Sequence, residues 1–205
     1  DAILKSKAPK IGLVEQYYLD EADAETVSSI RALADKLSSA GAEVSKISLD
    51  VDFEQILAAH RVIMTVEGAF THRENFAERP EDYLPQVRNI IETGNGTSGV
   101  NYVSARNAQR KLKSAVERAF GGYDLFLSPT AVSGAPTPET TGQPVFQAPW
   151  TMAGVPSISI PYALDIDGMP LGAQLAGKFL GESGLLAAAS WIESIVEFGE
   201  VPDIS

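Results

Sequence analysis

Tyr123-Asp124-Leu125-Phe126-Leu127-Ser128-Pro129-Thr130 opens the stretch that decides the fold, and Met169-Pro170-Leu171-Gly172-Ala173-Gln174-Leu175-Ala176-Gly177 closes it. Between them lie a Pro/Gly/Thr-rich loop over residues 131–149, the segment Trp150-Thr151-Met152-Ala153-Gly154-Val155-Pro156, the alternating Ser157-Ile158-Ser159-Ile160-Pro161, and the turn Asp165-Ile166-Asp167-Gly168. Three short apolar runs with such punctuation predict three strands in the middle of a sheet. The prolines are expected at strand ends, where no ladder donor is lost. The glycines admit a close backbone approach or a positive φ.

Upstream, the hydrophobic period changes. Lys10-Ile11-Gly12-Leu13-Val14 reads as a short buried strand. Asp23 is placed to cap a helix, with Glu25 in its first turn and Val27, Ile30, Ala34 and Leu37 at helical spacing. Gly41 ends that helix, and Val44, Ile47 and Leu49 predict the next strand. Strand, helix, strand is the signature of a parallel pair. A second helix is expected after Asp52, with Phe53, Ile56, Leu57, His60, Ile63, Met64, Glu67 and Phe70 on one face. A short helix follows over residues 85–92.

Gly94-Asn95-Gly96-Thr97-Ser98-Gly99 matches GxGxxG in form. A dinucleotide fingerprint needs a strand before it. A helix precedes it here, so the run reads as a helix cap and a flexible turn. Residues 101–120 predict a long helix with Tyr102, Ala105, Leu112, Val116, Ala119 and Phe120 inward and its basic residues in solvent. Ser183 is placed to cap a last helix with Leu185, Leu186, Ala189, Ile192 and Val196 inside. The fold class is therefore α/β, a mixed sheet flanked by helices. One domain is expected over residues 10–197, with tails at 1–9 and 198–205.

Composition excludes several functions. The chain of 205 residues carries a net charge of −11, which repels phosphate backbones and anionic lipid surfaces. Neither a nucleic-acid nor a membrane partner is expected. There is no cysteine, so disulfides and thiolate chemistry are ruled out, and a cytoplasmic location is expected. His60, Glu67 and His72 are the obvious metal candidates, but no HExxH pattern joins them. We assign no metal and no cofactor.

The ordered set Asp124…Ser128-Pro129-Thr130, Phe146…Trp150…Gly154-Val155-Pro156-Ser157…Pro161 and Gly168-Met169-Pro170-Leu171-Gly172-Ala173-Gln174-Leu175 resembles the C-terminal half of the amidase signature family. The similarity runs from about residue 10 to about residue 193. The resemblance implies an incomplete amidase-type fold. Members hydrolyse amides with a Ser–Ser–Lys triad held in a Gly/Ser-rich stretch of their N-terminal half. No segment of this chain matches that stretch, and no catalytic residue is assigned.

What maps is the wall of a substrate cleft. Thr130 is expected to offer a hydroxyl, Phe146 and Trp150 an apolar wall or else plain core, and Gly154 a close backbone approach. Thr151 stands where many members carry Asn. Gln174 is expected to pack or to lie at a sheet edge. The expected function is the C-terminal portion of a hydrolase of amide C–N bonds, inactive alone. Its expected partners are the missing N-terminal half, or a second copy, and a small amide substrate. The alternative is a binding or docking module derived from an amidase.

Overall fold

A computed structural model describes residues 7–140 and 142–200, so parts of both expected tails, residues 1–6 and 201–205, lie outside the described residues. Among these residues the contacts group the chain into two compact units, where one domain was expected: residues 1–50 with 115–205, and residues 51–114.

The first unit holds a mixed five-stranded sheet: β1 (Lys10–Val14), β2 (Glu43–Ile47), β3 (Leu125–Pro129), β4 (Ser157–Leu164) and β5 (Pro170–Ala176). The order is β2-β1-β3-β5-β4. β1 lies parallel to both β2 and β3, and β5 runs antiparallel to both β3 and β4. The helices of this unit are α1 (Tyr18–Glu21), α2 (Ala24–Ser39), α6 (Ala148–Ala153) and α7 (Glu182–Val196).

α2 forms as its sequence dictates. The Asp23 carboxylate accepts from Thr26 N–H at 2.7 Å, and Gly41 ends the helix at φ 105°. Ile30, Leu33, Ala34 and Leu37 face the sheet side carrying Ile11, Leu13, Leu125, Leu127, Ala173 and Leu175. α7 adds Leu185, Ala188, Ala189 and Ile192 to the same core. Gly181, not Ser183, stands at the cap of α7, and Leu186 is half exposed. The helix begins one residue after Gly181, which places Ser183 inside its first turn.

The three strands of the opening stretch are β3, β4 and β5, but only β3 and β5 are interior. β4 is an edge strand, and Pro161 lies within it, at a register shift between Pro161 and Ala163. An edge tolerates a proline because one side of its ladder is already open. The opposite edge, β2, is guarded by charge: Lys10 pairs with Glu43 at 2.8 Å and Lys46 with Glu15 at 3.0 Å. The turn after β4 forms as expected, with Gly168 at φ 77° and its N–H donating to Asp165 O at 3.0 Å.

The second unit is built from α3 (Phe53–Glu78), a 3-10 turn (Pro80–Asp82), α4 (Pro85–Gly96) and the larger part of α5 (Gly99–Ala119). Asp52 caps α3, accepting from Gln55 N–H at 3.1 Å. The expected stripe on α3 is partly wrong. Phe53, Ile56 and Ile63 are buried, but Ala59 and Ala69 fill the rest of the inner face, while Met64 and Phe70 face solvent. Small residues are used inward because α4 approaches closely. α4 also runs four residues past its expected end, to Gly96. The first half of the glycine run is therefore helix rather than turn.

Candidate functional site

In an α/β sheet, ligands sit beyond the carboxyl ends of strands, where neighbouring connections leave in opposite directions. β1 leads to β2 on one side, and β3 lies on the other, so the crevice falls between the ends of β1 and β3. Glu15, Gln16 and Tyr17 follow β1, and Thr130 follows β3.

Tyr17 turns the chain into α1 at φ 69°, unusual for a bulky residue. Its N–H donates to Asp20 Oδ2 at 3.0 Å, and its hydroxyl donates to Val145 O at 3.3 Å. That last bond ties the long loop after β3 back to the end of β1. The Gln16 side chain accepts from Leu49 N–H at 3.1 Å.

Thr130 is partly exposed and held firmly. Its N–H donates to Gly172 O at 2.8 Å, its carbonyl accepts from Gln147 Nε2, and its hydroxyl lies 2.7 Å from the Ser159 hydroxyl. The same side of the sheet carries a polar rung, Ser128–Gln174–Ser159, paired across β3, β5 and β4. Ser128 and Gln174 are buried, and Ser128 Oγ and Gln174 Oε1 have no hydrogen-bond partner. Gln174 thus lies inside the sheet on an interior strand, not at its edge. Buried polar atoms are nearly always paired, so this rung departs from ordinary packing.

Phe146 and Trp150 are both fully buried, at 0% and 1% exposure. They belong to an aromatic stack. The Trp150 ring lies 5.9 Å from Tyr18 and 5.9 Å from Phe126, while Phe146 lies 5.0 Å from Tyr18. In the described structure they form the core behind the crevice. Trp150 sits on α6, a helix within a segment for which the sequence predicts none. Pro149 in its first turn and Gly154 at its end are the available signals. Gly154 stops α6 at φ 70°, so its conformation serves helix termination.

Burial pushes the Tyr17 phenol up to about 12, with Glu21 adding to the shift. It pushes Tyr18 well above its usual range too, with Tyr17 adding, although a hydrogen bond with Trp150 works the other way. Below about pH 10 these phenols are neutral in folded and unfolded chains alike. Above it the unfolded chain loses protons that the folded chain keeps, so stability falls as pH rises from about 10 towards 12. Urea midpoints at pH 9 and 11 are expected to show that fall, reduced in Tyr17→Phe and Tyr18→Phe. An equal fall in both variants would show that the phenols are not its source.

The metal candidates do not converge. Glu67 Oε1 accepts from Tyr102 at 2.9 Å and from Arg106 at 3.0 Å, and His72 Nδ1 lies 3.1 Å from the Tyr83 hydroxyl. His60 is half-buried, which lowers its pKa. Among the described residues no group of three or more His, Cys, Asp or Glu is placed to hold a metal. Nor is any described helix long and apolar enough to cross a membrane.

Comparison with known proteins places this geometry. The family model described as Amidase matches residues 2–186. A glutamyl-tRNA(Gln) amidotransferase subunit of Halothermothrix orenii is 28% identical over 218 residues, which cover 91% of this chain and 46% of that protein. An amidase of Pseudomonas putida is 28% identical over 196 residues, covering 89% of this chain and 42% of its own length. A crystal structure of an amidase superposes with a TM-score of 0.83 at 26% identity, over 96% of this chain and 47% of that one. The fold of fatty acid amide hydrolase also matches, with a TM-score of 0.78 at 15% identity, over 95% of this chain and 41% of that chain. The chain spans less than half the length of these relatives. With a matched model over most of its residues and the mixed sheet in common, this chain belongs to the amidase family.

Proposed function

We propose that this chain supplies the C-terminal half of an amide hydrolase, contributing scaffold and one wall of the substrate cleft, and that it is inactive alone. The observation that carries the reading is coverage: about nine tenths of this chain matches less than half of each amidase relative. The site agrees. Acyl transfer needs a nucleophile beside a base. Among the described residues the Thr130 and Ser159 hydroxyls bond each other, and neither is bonded to a lysine, histidine or carboxylate.

In this reading Thr130 faces the substrate. Phe146 and Trp150 support the wall from behind, and Gly154 brings the end of α6 close to it. The partner is the remaining half of the amidase fold. The substrate is a small amide, and the location is cytoplasmic. Several relatives are by name one subunit of an amidotransferase, which supports assembly with other polypeptides.

The test is an amide-hydrolysis assay on this chain, then on the chain combined with an N-terminal amidase half. No turnover is expected in the first and turnover in the second. Hydrolysis by the isolated chain, abolished by a point change within it, would refute the proposal.

A further inference from the structure

Thr130 is fixed more tightly than a partly exposed threonine needs to be. Three separate elements hold it: Gly172 of β5 through its N–H, Gln147 through its carbonyl, and Ser159 of β4 through its hydroxyl. Holding a surface side chain costs rotamer freedom and adds little stability. It does pre-organise a hydroxyl for a ligand.

The hydroxyl pair also depends on an absence. A Cβ at Gly172 would lie 2.7 Å from Ser159 Oγ and 2.8 Å from Thr130 Oγ1. Any side chain at position 172 would push the two hydroxyls away. The backbone there does not need glycine for a positive φ, so the missing side chain serves space. On the same side, Ser128 Oγ and Gln174 Oε1 are buried and uncommitted. A row kept polar at that cost is not there for packing.

We propose that Ser159 is a positioning residue that sets the Thr130 hydroxyl towards an amide substrate, and that Gly172 is the notch that lets the pair form. This rests on the reading of Thr130 as a substrate contact. A hydroxyl offers one donor and two acceptor sites. Sharing one hydrogen with Ser159 leaves Thr130 able to meet either the carbonyl or the N–H of an amide. The direction it presents is set by its partner on β4. Ser159 itself lies in the strand, one position from the buried Ile160, and is held by the ladder to β5.

The experiment is steady-state kinetics on the assembled amidase, this chain together with the other half of the fold, with propionamide as probe. Thr130→Val and Ser159→Ala are each expected to raise KM by about five-fold, the scale of one lost hydrogen bond, with kcat nearly unchanged. The double variant is expected to be no worse than Thr130→Val, because one contact is lost in all three. Ser159→Thr keeps the hydroxyl and is expected to restore KM. Gly172→Ala, which crowds both hydroxyls, is expected to raise it.

If Thr130→Val raises KM while Ser159→Ala leaves it unchanged, the positioning role is overturned and the substrate contact stands. If neither variant moves KM, both are overturned. A rise for Ser159→Ala that Ser159→Thr does not rescue also counts against positioning, since it would trace to shape and not to the hydroxyl.

Discussion

Gly94→Ala is expected to destabilise the second unit by about 2–3 kcal/mol, against the trend for glycine in a helix. Elsewhere in a helix interior the same change gains about 1 kcal/mol, because alanine loses less backbone entropy. Here the packing term wins. A Cβ at Gly94 would lie 2.0 Å from Thr65 O, 2.5 Å from its carbonyl carbon and 2.7 Å from Ala69 Cβ. These are mostly backbone atoms of α3 and cannot rotate aside. The two helices must part along their whole contact, and Ile91 and Ala69 lose their fit with it.

Gly96 supplies the control. It lies two residues on in the same helix, and a Cβ there would meet nothing within 4 Å. Gly96→Ala is expected to be neutral or stabilising by up to about 1 kcal/mol. Urea unfolding followed by far-UV circular dichroism reads both. Two variants shifting in the same direction would mean that propensity, not the α3–α4 contact, governs this position.

Trp150→Ala is expected to cost about 3–5 kcal/mol, the usual range for removing a buried tryptophan. That is a large share of the roughly 5–15 kcal/mol that holds a domain. Trp150 is the largest of the fully buried side chains, and its ring stacks with Tyr18 from α1 and Phe126 from β3. Its loss removes the contact that holds α6 onto the sheet. Trp150→Phe keeps an aromatic surface and is expected to recover most of the loss. Thermal unfolding of the three proteins checks the order. A melting point for Trp150→Ala within a degree or two of the parent would place this ring outside the core.

Individual elements show where the sequence is legible. The βαβ unit is plain because Asp23, the helical spacing from Ile30 to Leu37, and Gly41 all agree, and local consistency of that kind marks an element clearly. The three strands after Tyr123 are equally plain. Their order is not, since an edge strand and an interior strand of this length share the same alternation. Pro161 is the one hint that β4 lies outside, and by sequence it passes equally well for a strand end. α6 escapes notice because six residues carry too little period to stand out from a proline-rich loop.

The candidate site divides in the same way. Motif order alone points to the amidase fold and to Thr130 at a strand end. It leaves open whether Phe146 and Trp150 line a cleft or fill a core, because an aromatic side chain serves either purpose and the sequence does not say what stands in front of it. It also offers Glu67 and His72 as metal candidates, whereas packing gives them to Arg106, Tyr102 and Tyr83.

From the residues in order come the strands, the caps, the parallel pair and the family likeness, all of which depend on neighbours within a few positions. Folding in space supplies the rest. Residues 130, 147, 159 and 172 meet because β3, β4 and β5 align in one register. Gly94 is a contact and not a turn because α3 lies against it. Such facts depend on which distant backbone comes near, and no local pattern encodes that distance.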